Sequence, residues 1–262
     1  DEPKDKISKN ESSGGISVQD EKKGCIDIEH LYFSYTDSPL IEDFCLHAPA
    51  GSRIAIVGPT GCGKTTMINL LLRFYEPSSG RILIDDVPTS DMSRDELRAM
   101  FGMVLQDTWL FAGTVAENIS YGNPQASREE IIEAAKKAHA HSFIKRLENG
   151  YDTVITAGGD NLSEGQKQLL CIARVMLAKT PMLILDEATS GIDTRTEIKV
   201  QRAFTEMMRG KTSIVIAHRL STIMESDIII VMKNGHIVEQ GKHAELVARG
   251  GFYSELVNAM KS

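Results

Sequence analysis

Short apolar runs alternate with helix-spaced segments along most of the chain. Ile26, Ile28, Leu31 and Phe33 mark a strand, and Arg53–Val57 is a short buried strand that runs directly into Gly58. Residues 65–75 have helical spacing, with Ile68, Leu71 and Leu72 on one side. Residues 81–85 and 102–105 read as further strands. From about 114 to 178 strand signals are scarce, and 127–147 and 163–178 read as helices. Buried strands return at 182–185, 213–217 and 228–232, with helical segments such as 195–209 between them. Alternation of this kind predicts an α/β fold, a mainly parallel sheet covered on both faces, with a helical insertion over about 107–178.

Composition sharpens this picture at the ends and on the surface. Residues 1–23 are rich in Lys, Asp, Glu, Ser and Gly, with three aliphatics and no aromatics, and are expected to form a flexible linker. The remainder, 24–262, is large enough for one domain with a sizeable core. A net charge of -7 argues against a nucleic-acid partner, which selects a basic surface. The longest apolar runs fall far short of the roughly 20 residues that a membrane-spanning helix needs. The chain begins with Asp1 rather than Met and is expected to be a piece of a longer protein. Cys25, Cys45, Cys62 and Cys171 show no paired spacing and read as reduced thiols of a cytosolic compartment. Three are expected in apolar or helical surroundings, and Cys62 lies in a glycine loop.

That loop carries the first chemistry. Gly58, Pro59, Thr60, Gly61, Cys62, Gly63, Lys64 and Thr65 match G-x-x-x-x-G-K-[ST], with Thr66 following, between an expected strand and an expected helix. Glycines there let backbone N–H groups turn inward around phosphate oxygens, and the helix presents its positive end to the same anion. Lys64 is placed to reach the β and γ phosphates, and the Thr65 hydroxyl to hold Mg²⁺. At that helix start Cys62 is expected to be a reactive thiol that bound nucleotide covers. The dinucleotide fingerprint is excluded, because Thr66 stands where a third glycine-like residue belongs. No N-K-x-D guanine motif is present. Asp186 and Glu187 end an apolar strand. Asp186 suits the metal or its waters, and Glu187, on the opposite side by strand alternation, is free to accept a proton from an attacking water.

With these motifs the chain resembles the nucleotide-binding domains of ABC transporters, over about 24–260. Leu162-Ser163-Glu164-Gly165-Gln166 resembles the family's L-S-G-G-Q signature, which caps the γ-phosphate of ATP held by the opposite domain. Gln106 resembles the glutamine that contacts Mg²⁺ and senses the γ-phosphate, and His218 the switch histidine. Ser190-Gly-Ile-Asp193 resembles the D-loop, with Asp193 facing the partner's ATP, and Tyr35 the aromatic that stacks on adenine. The run from Gln106 through Asn118, and Gly235 to Gly241 with His243, are closest to the exporter branch. The resemblance implies a P-loop NTPase, RecA-like core with an antiparallel β subdomain and a helical subdomain. Its cofactors are ATP and Mg²⁺. Lys64, Gln106, Glu187 and His218 act in catalysis; Thr65, Gln106 and Asp186 serve the metal; Ser163, Gly165, Gln166 and Asp193 serve the partner's ATP.

It further implies a transmembrane domain, a second ATPase domain head to tail, and a place on the cytoplasmic face of a membrane. Two departures stand out. Glu164 replaces the signature's glycine, adding bulk and charge where a phosphate approaches, which points to a heterodimer with one weaker site; a symmetric homodimer in which Glu164 turns to solvent is the alternative. Thr156-Ala-Gly-Gly159 replaces the exporter segment G-E-R-G, which contacts the membrane domain. A non-transport ABC ATPase would carry two ATPase domains or coiled-coil arms, and neither is visible. A weakly catalytic regulatory module is the other alternative, and Glu187 with His218 argues against it.

Overall fold

The computed structural model describes residues 24–105, 108–186, 192–217 and 219–261. The chain opens with strands β1 (Ile26–Phe33), β2 (Ile41–Ala48) and β3 (Arg53–Val57), then helix α1 (Lys64–Leu71). β4 (Ser79–Ile84) and β5 (Val87–Pro88) follow, then α2 (Arg94–Ala99) and β6 (Phe101–Val104). β7 (Gly113–Thr114), α3 (Val115–Ser120), α4 (Arg128–Lys137), α5 (His141–Ile144), β8 (Val154–Ile155) and α6 (Glu164–Ala178) make up the insertion. β9 (Met182–Asp186), α7 (Thr194–Met208), β10 (Thr212–Ile216) and α8 (Leu220–Met224) return to the core. The chain closes with β11 (Ile228–Lys233), β12 (His236–Gly241), α9 (His243–Arg249) and α10 (Phe252–Lys261).

One sheet has the order β12-β11-β3-β10-β9-β6, parallel except for β12, and a second has the order β2-β1-β4-β5 and is antiparallel. Side-chain alternation along the central strands divides the core into two clusters. Ala55, Val57, Val104, Leu183, Leu185, Val215, Ala217 and Val231 join the face covered by the helical insertion, α7 and α10. Ile54, Ile56, Phe101, Met182, Ile184, Ile214, Ile216 and Met232 join the face covered by α1 and the antiparallel sheet. Strands buried on both faces read as continuous apolar runs for this reason.

Three sequence expectations change. Residues 127–147 are two helices, because His139 adopts φ 57° and ends α4 in a left-handed turn. Arg73 at φ 50° likewise stops α1 before 75. Strand β2 escaped the hydrophobic pattern because Glu42, Asp43, Cys45 and His47 interrupt it and a register shift breaks its alternation. Cys45 stands exposed on that strand instead of in apolar surroundings, and all four cysteines are free thiols. Among the described residues, no helix is long and apolar enough to cross a membrane.

Candidate active site

The loop 58–63 leaves the C-terminal end of β3 and delivers the chain into α1. Gly58, Gly61 and Gly63 adopt φ of 155°, 80° and 105°, which L side chains rarely adopt. A side chain at Gly58 would overlap the Met232 carbonyl, and one at Gly63 would meet Ile41 Cδ1 at 2.8 Å. Lys64 folds back over the loop, its Nζ donating to the carbonyls of Gly58 at 2.8 Å and Pro59 at 3.0 Å. Thr65 is exposed and Thr66 buried. The start of α1 has no side-chain cap and no acid in its first turn. By contrast α2, α3, α4 and α6 each begin with a capping box. The first N–H groups of α1 are therefore left for an anion.

Cys62 corrects an expectation. Its side chain is 3% exposed and belongs to the core cluster beneath α1. It offers the phosphate site only backbone, and its amide N–H already donates to the Pro59 carbonyl at 3.3 Å.

The parallel strands bring the other candidates toward this loop. Ile56, Ile216 and Asp186 share one register row across β3, β10 and β9. Asp186 thus ends its strand two strands away from the phosphate loop. Gln106, Glu187 and His218 lie outside the described residues. The residues that precede them, Leu105, Asp186 and Ala217, end or directly follow β6, β9 and β10, which are neighbours in the sheet. In open α/β sheets ligands bind outside these carboxyl ends.

Tyr35 follows β1 and is 48% exposed. Its ring stands edge-on between Phe33, with centroids 4.8 Å apart, and Tyr75 at 4.9 Å, which fixes its orientation and leaves it accessible. Tyr75 was missed in the sequence, although the aromatic pair Phe74-Tyr75 just past α1 was a visible signal. In the Asn234-Gly235 turn of β11–β12, both residues have positive φ. The Gly235 amide donates to the Cys62 carbonyl at 3.2 Å, and its missing side chain admits Leu40. This one turn ties the phosphate loop to the strand pair that presents Tyr35.

The signature residues form the open end of α6. Ser163 is the N-cap: its hydroxyl accepts from the Gln166 amide at 3.4 Å, and Gln166 Oε1 accepts from the Ser163 amide at 3.0 Å. Gly165 packs on the start of α7, where a side chain would overlap Thr196 Cγ2 and meet Ile192 Cγ2 at 3.0 Å. Asp193 caps α7, accepting from the Thr196 amide at 3.0 Å. Hydrogen bonds from Thr196, side chain first and backbone second, hold its carboxyl below the usual range, so it stays ionised. Glu164 pairs with Lys167 at 2.9 Å. Residues 156–159 pack on Leu110, whose carbonyl accepts the Gly158 amide at 3.0 Å.

A hard divalent ion prefers oxygen donors. An exposed Thr65 hydroxyl at an uncapped helix start and a strand-end Asp186 carboxylate supply that donor type, so the residues fit Mg²⁺ bound with a nucleotide phosphate.

The model of the family described as "ABC transporter" matches residues 41–190. A fatty acid ABC transporter ATP-binding/permease protein of Mycobacterium bovis is 54% identical over 237 residues, covering 90% of this chain and 38% of that protein. An uncharacterized ABC transporter ATP-binding protein of Bacillus subtilis is 52% identical over 89% of this chain and 39% of its own length. A putative multidrug export ATP-binding/permease protein of Staphylococcus aureus is 48% identical over 90% of this chain and 41% of its own length. The chain thus spans about two fifths of the relatives it matches. A bacterial Atm1-family ABC exporter solved with ATP bound superposes with a TM-score of 0.85 at 40% identity, covering 98% of this chain and 44% of that one. Phosphate loop, strand-end acid, signature helix and relatives agree: the chain belongs to the ABC transporter family, as an ATP-binding domain.

Proposed function

We propose that this domain is the motor of a membrane exporter, binding Mg-ATP between its own phosphate loop and the signature helix of a second such domain. The observation that carries the reading is the bare N-terminus of α1, at the end of β3 with Lys64 folded over it, where α2, α3, α4 and α6 begin with capping boxes instead. Tyr35 stacks on the base and Gly58–Thr66 hold the phosphates. Lys64 swings from two backbone carbonyls to the phosphate oxygens. Thr65, Asp186 and Gln106 serve Mg²⁺, which spreads the charge of the transferred phosphoryl group when bound. Glu187 takes the proton of the attacking water and His218 orients that water; a positioned base supplies typically about 10²–10⁴ in rate.

From the partner side, Ser163, Gly165 and Gln166 present a helix N-terminus to the γ-phosphate, and Asp193 approaches across the interface. Loss of the γ-phosphate removes the anion that joins the halves. The opening passes to a transmembrane part on the cytoplasmic face, as the relatives' ATP-binding/permease names support. Exposed Trp109 and Tyr121, beside Arg174, offer an aromatic surface for that part. A heterodimer with one weaker site rests on Glu164. Its pairing with Lys167 neutralises the charge that would oppose a phosphate, which favours two equivalent sites.

The test is Glu187→Gln in the purified domain. It retains ATP binding, loses most steady-state turnover and accumulates an ATP-bound dimer holding two nucleotides. Near-normal turnover rejects Glu187 as base, and one occluded nucleotide per dimer restores the asymmetric pair.

A further inference from the structure

The outer face of the β1–β2 hairpin gathers thiol, imidazole and carboxylate groups that the ATP site does not use. Asp27 faces His47 and Ile28 faces Leu46, and the register then shifts before Leu31 and Phe44. Ile28, Leu31, Phe44 and Leu46 are buried, so the shift is pinned from beneath. It leaves His30 and Asp43 at φ 45° and 47°, a region in which Asp and His are over-represented among non-glycine residues. Both side chains come to the same place as Cys45. His30 Nδ1 lies 2.7 Å from Asp43 Oδ1 and 3.7 Å from Cys45 Sγ. The His30 amide donates to the same sulfur at 3.3 Å. One ligand atom of each residue lies within 4.8 Å of the others, and all three residues are exposed.

We propose that His30, Asp43 and Cys45 form a binding site for a divalent transition-metal ion of the zinc class, with solvent as the fourth ligand. Thiolate and imidazole select such an ion over Mg²⁺ or Ca²⁺, and three protein ligands with one open position is a common zinc arrangement. The His30 amide N–H aimed at Cys45 Sγ holds the sulfur beside the other two ligands. Binding replaces the His30–Asp43 hydrogen bond and releases the thiol proton to water, so uptake strengthens as pH rises. A groove of about 430 Å³ runs beside Cys45 and past Glu29, leaving room for the fourth ligand. A similar triad, Cys25, Asp27 and His47, lies on the same hairpin face. There His47 Nδ1 is 2.6 Å from Asp27 Oδ1, but burial, then Asp27, pushes the Cys25 thiol up to about 11 and holds it protonated at neutral pH. Cys25 and Asp27 are also half-buried, with Cys25 Sγ donating to Asp27 Oδ2 at 3.5 Å, whereas the first triad lies open to solvent and is the one assigned to the metal.

Cobalt titration of the nucleotide-free, reduced 262-residue chain tests this. One equivalent of Co²⁺ is expected to produce a thiolate-to-metal charge-transfer band that Zn²⁺ abolishes by displacement. Cys45→Ser removes the band, Cys25→Ser retains it, and His30→Gln weakens Co²⁺ binding at least tenfold, with circular dichroism confirming each fold. Absence of the band in the parent chain, its survival in Cys45→Ser, its loss in Cys25→Ser or unchanged affinity in His30→Gln overturns the site.

Discussion

Gly165→Ala separates the signature's role in joining two domains from nucleotide binding within one. A β-carbon at Gly165 overlaps Thr196 Cγ2 and sits 3.0 Å from Ile192 Cγ2. Thr196 cannot retreat freely, because its amide is bound to Asp193 Oδ1 at 3.0 Å and starts α7. Alanine gains at most about 1 kcal/mol of helix propensity over glycine, and less at the second position of a helix. Overpacking costs typically about 1–3 kcal/mol, so the substitution destabilises by about 1–2 kcal/mol. For a domain of this size that lowers Tm by roughly 2–8 °C. It also pushes Ser163 and Gln166 away from Asp193, the groups proposed to meet a partner's ATP. The expected pattern is a lowered Tm, unchanged nucleotide affinity of the monomer, and loss of ATP-dependent dimerisation and turnover. Adding Thr196→Ser removes Cγ2 and keeps the hydroxyl, and it restores both Tm and dimerisation. Calorimetry, nucleotide titration and light scattering read the three quantities. A Gly165→Ala variant with parental Tm and turnover, or a double variant no better than the single, refutes the packing argument.

Tyr35→Ala weakens ATP binding by about 1–3 kcal/mol, roughly 5- to 150-fold, whereas Tyr35→Phe keeps most of it; equal affinity of all three in a fluorescence titration removes the stacking role. Cys62 alkylates slowly with or without Mg-ATP while exposed Cys45 alkylates quickly; mass spectrometry finding Cys62 as fast as Cys45 places the thiol outside the core. Burial pushes the phenols of Tyr151 and Tyr253 up to about 12 from an ordinary 10. A folded pKa above the unfolded one gives stability that is complete below about pH 10 and lost as pH rises toward 12. Denaturant midpoints should therefore fall across that window, with two of the six tyrosines ionising only on unfolding; a flat midpoint contradicts the burial.

The parallel strands were legible because burial on both faces makes them unbroken apolar runs, as in Met182–Asp186 and Ile228–Lys233. The phosphate loop was legible because its glycines and Lys64 answer to one ligand geometry that fixes spacing. β2 was not legible, since its polar positions face outward on a bulged hairpin and mimic a loop. Helix ends at Arg73 and His139 were missed because left-handed non-glycine residues leave no compositional mark. Glu164 and Lys167 stand one turn apart on α6 and pair at 2.9 Å, a contact that the expected helix over 163–178 allows but that only the side-chain conformations reveal. Cys62 misled for a related reason: a helix start suggests a reactive thiol, but the side chain's direction belongs to the tertiary packing.

The two-cluster core places the strand ends beside the phosphate loop and the signature helix in one packed layer. Val57 precedes Gly58, Ala217 follows β10, and Leu185 precedes Asp186; all three side chains enter the cluster on the helical face of the sheet. Leu162, Leu169, Leu170, Ile172 and Ala173, which carry the signature and its helix, enter the same cluster. Ile56 and Met232, one residue out of phase, belong instead to the opposite cluster, with Cys62 and Met67 beneath the phosphate loop. The strand ends beside the phosphate loop and helix α6 therefore share one packed layer, while the loop itself is held by the other face. Packed interiors transmit displacement because they have little free volume to absorb it. The strands that end at the phosphate loop and the signature helix are in this way built on one continuous layer, which the alternation of side chains along β3, β9 and β10 sets apart from the opposite face.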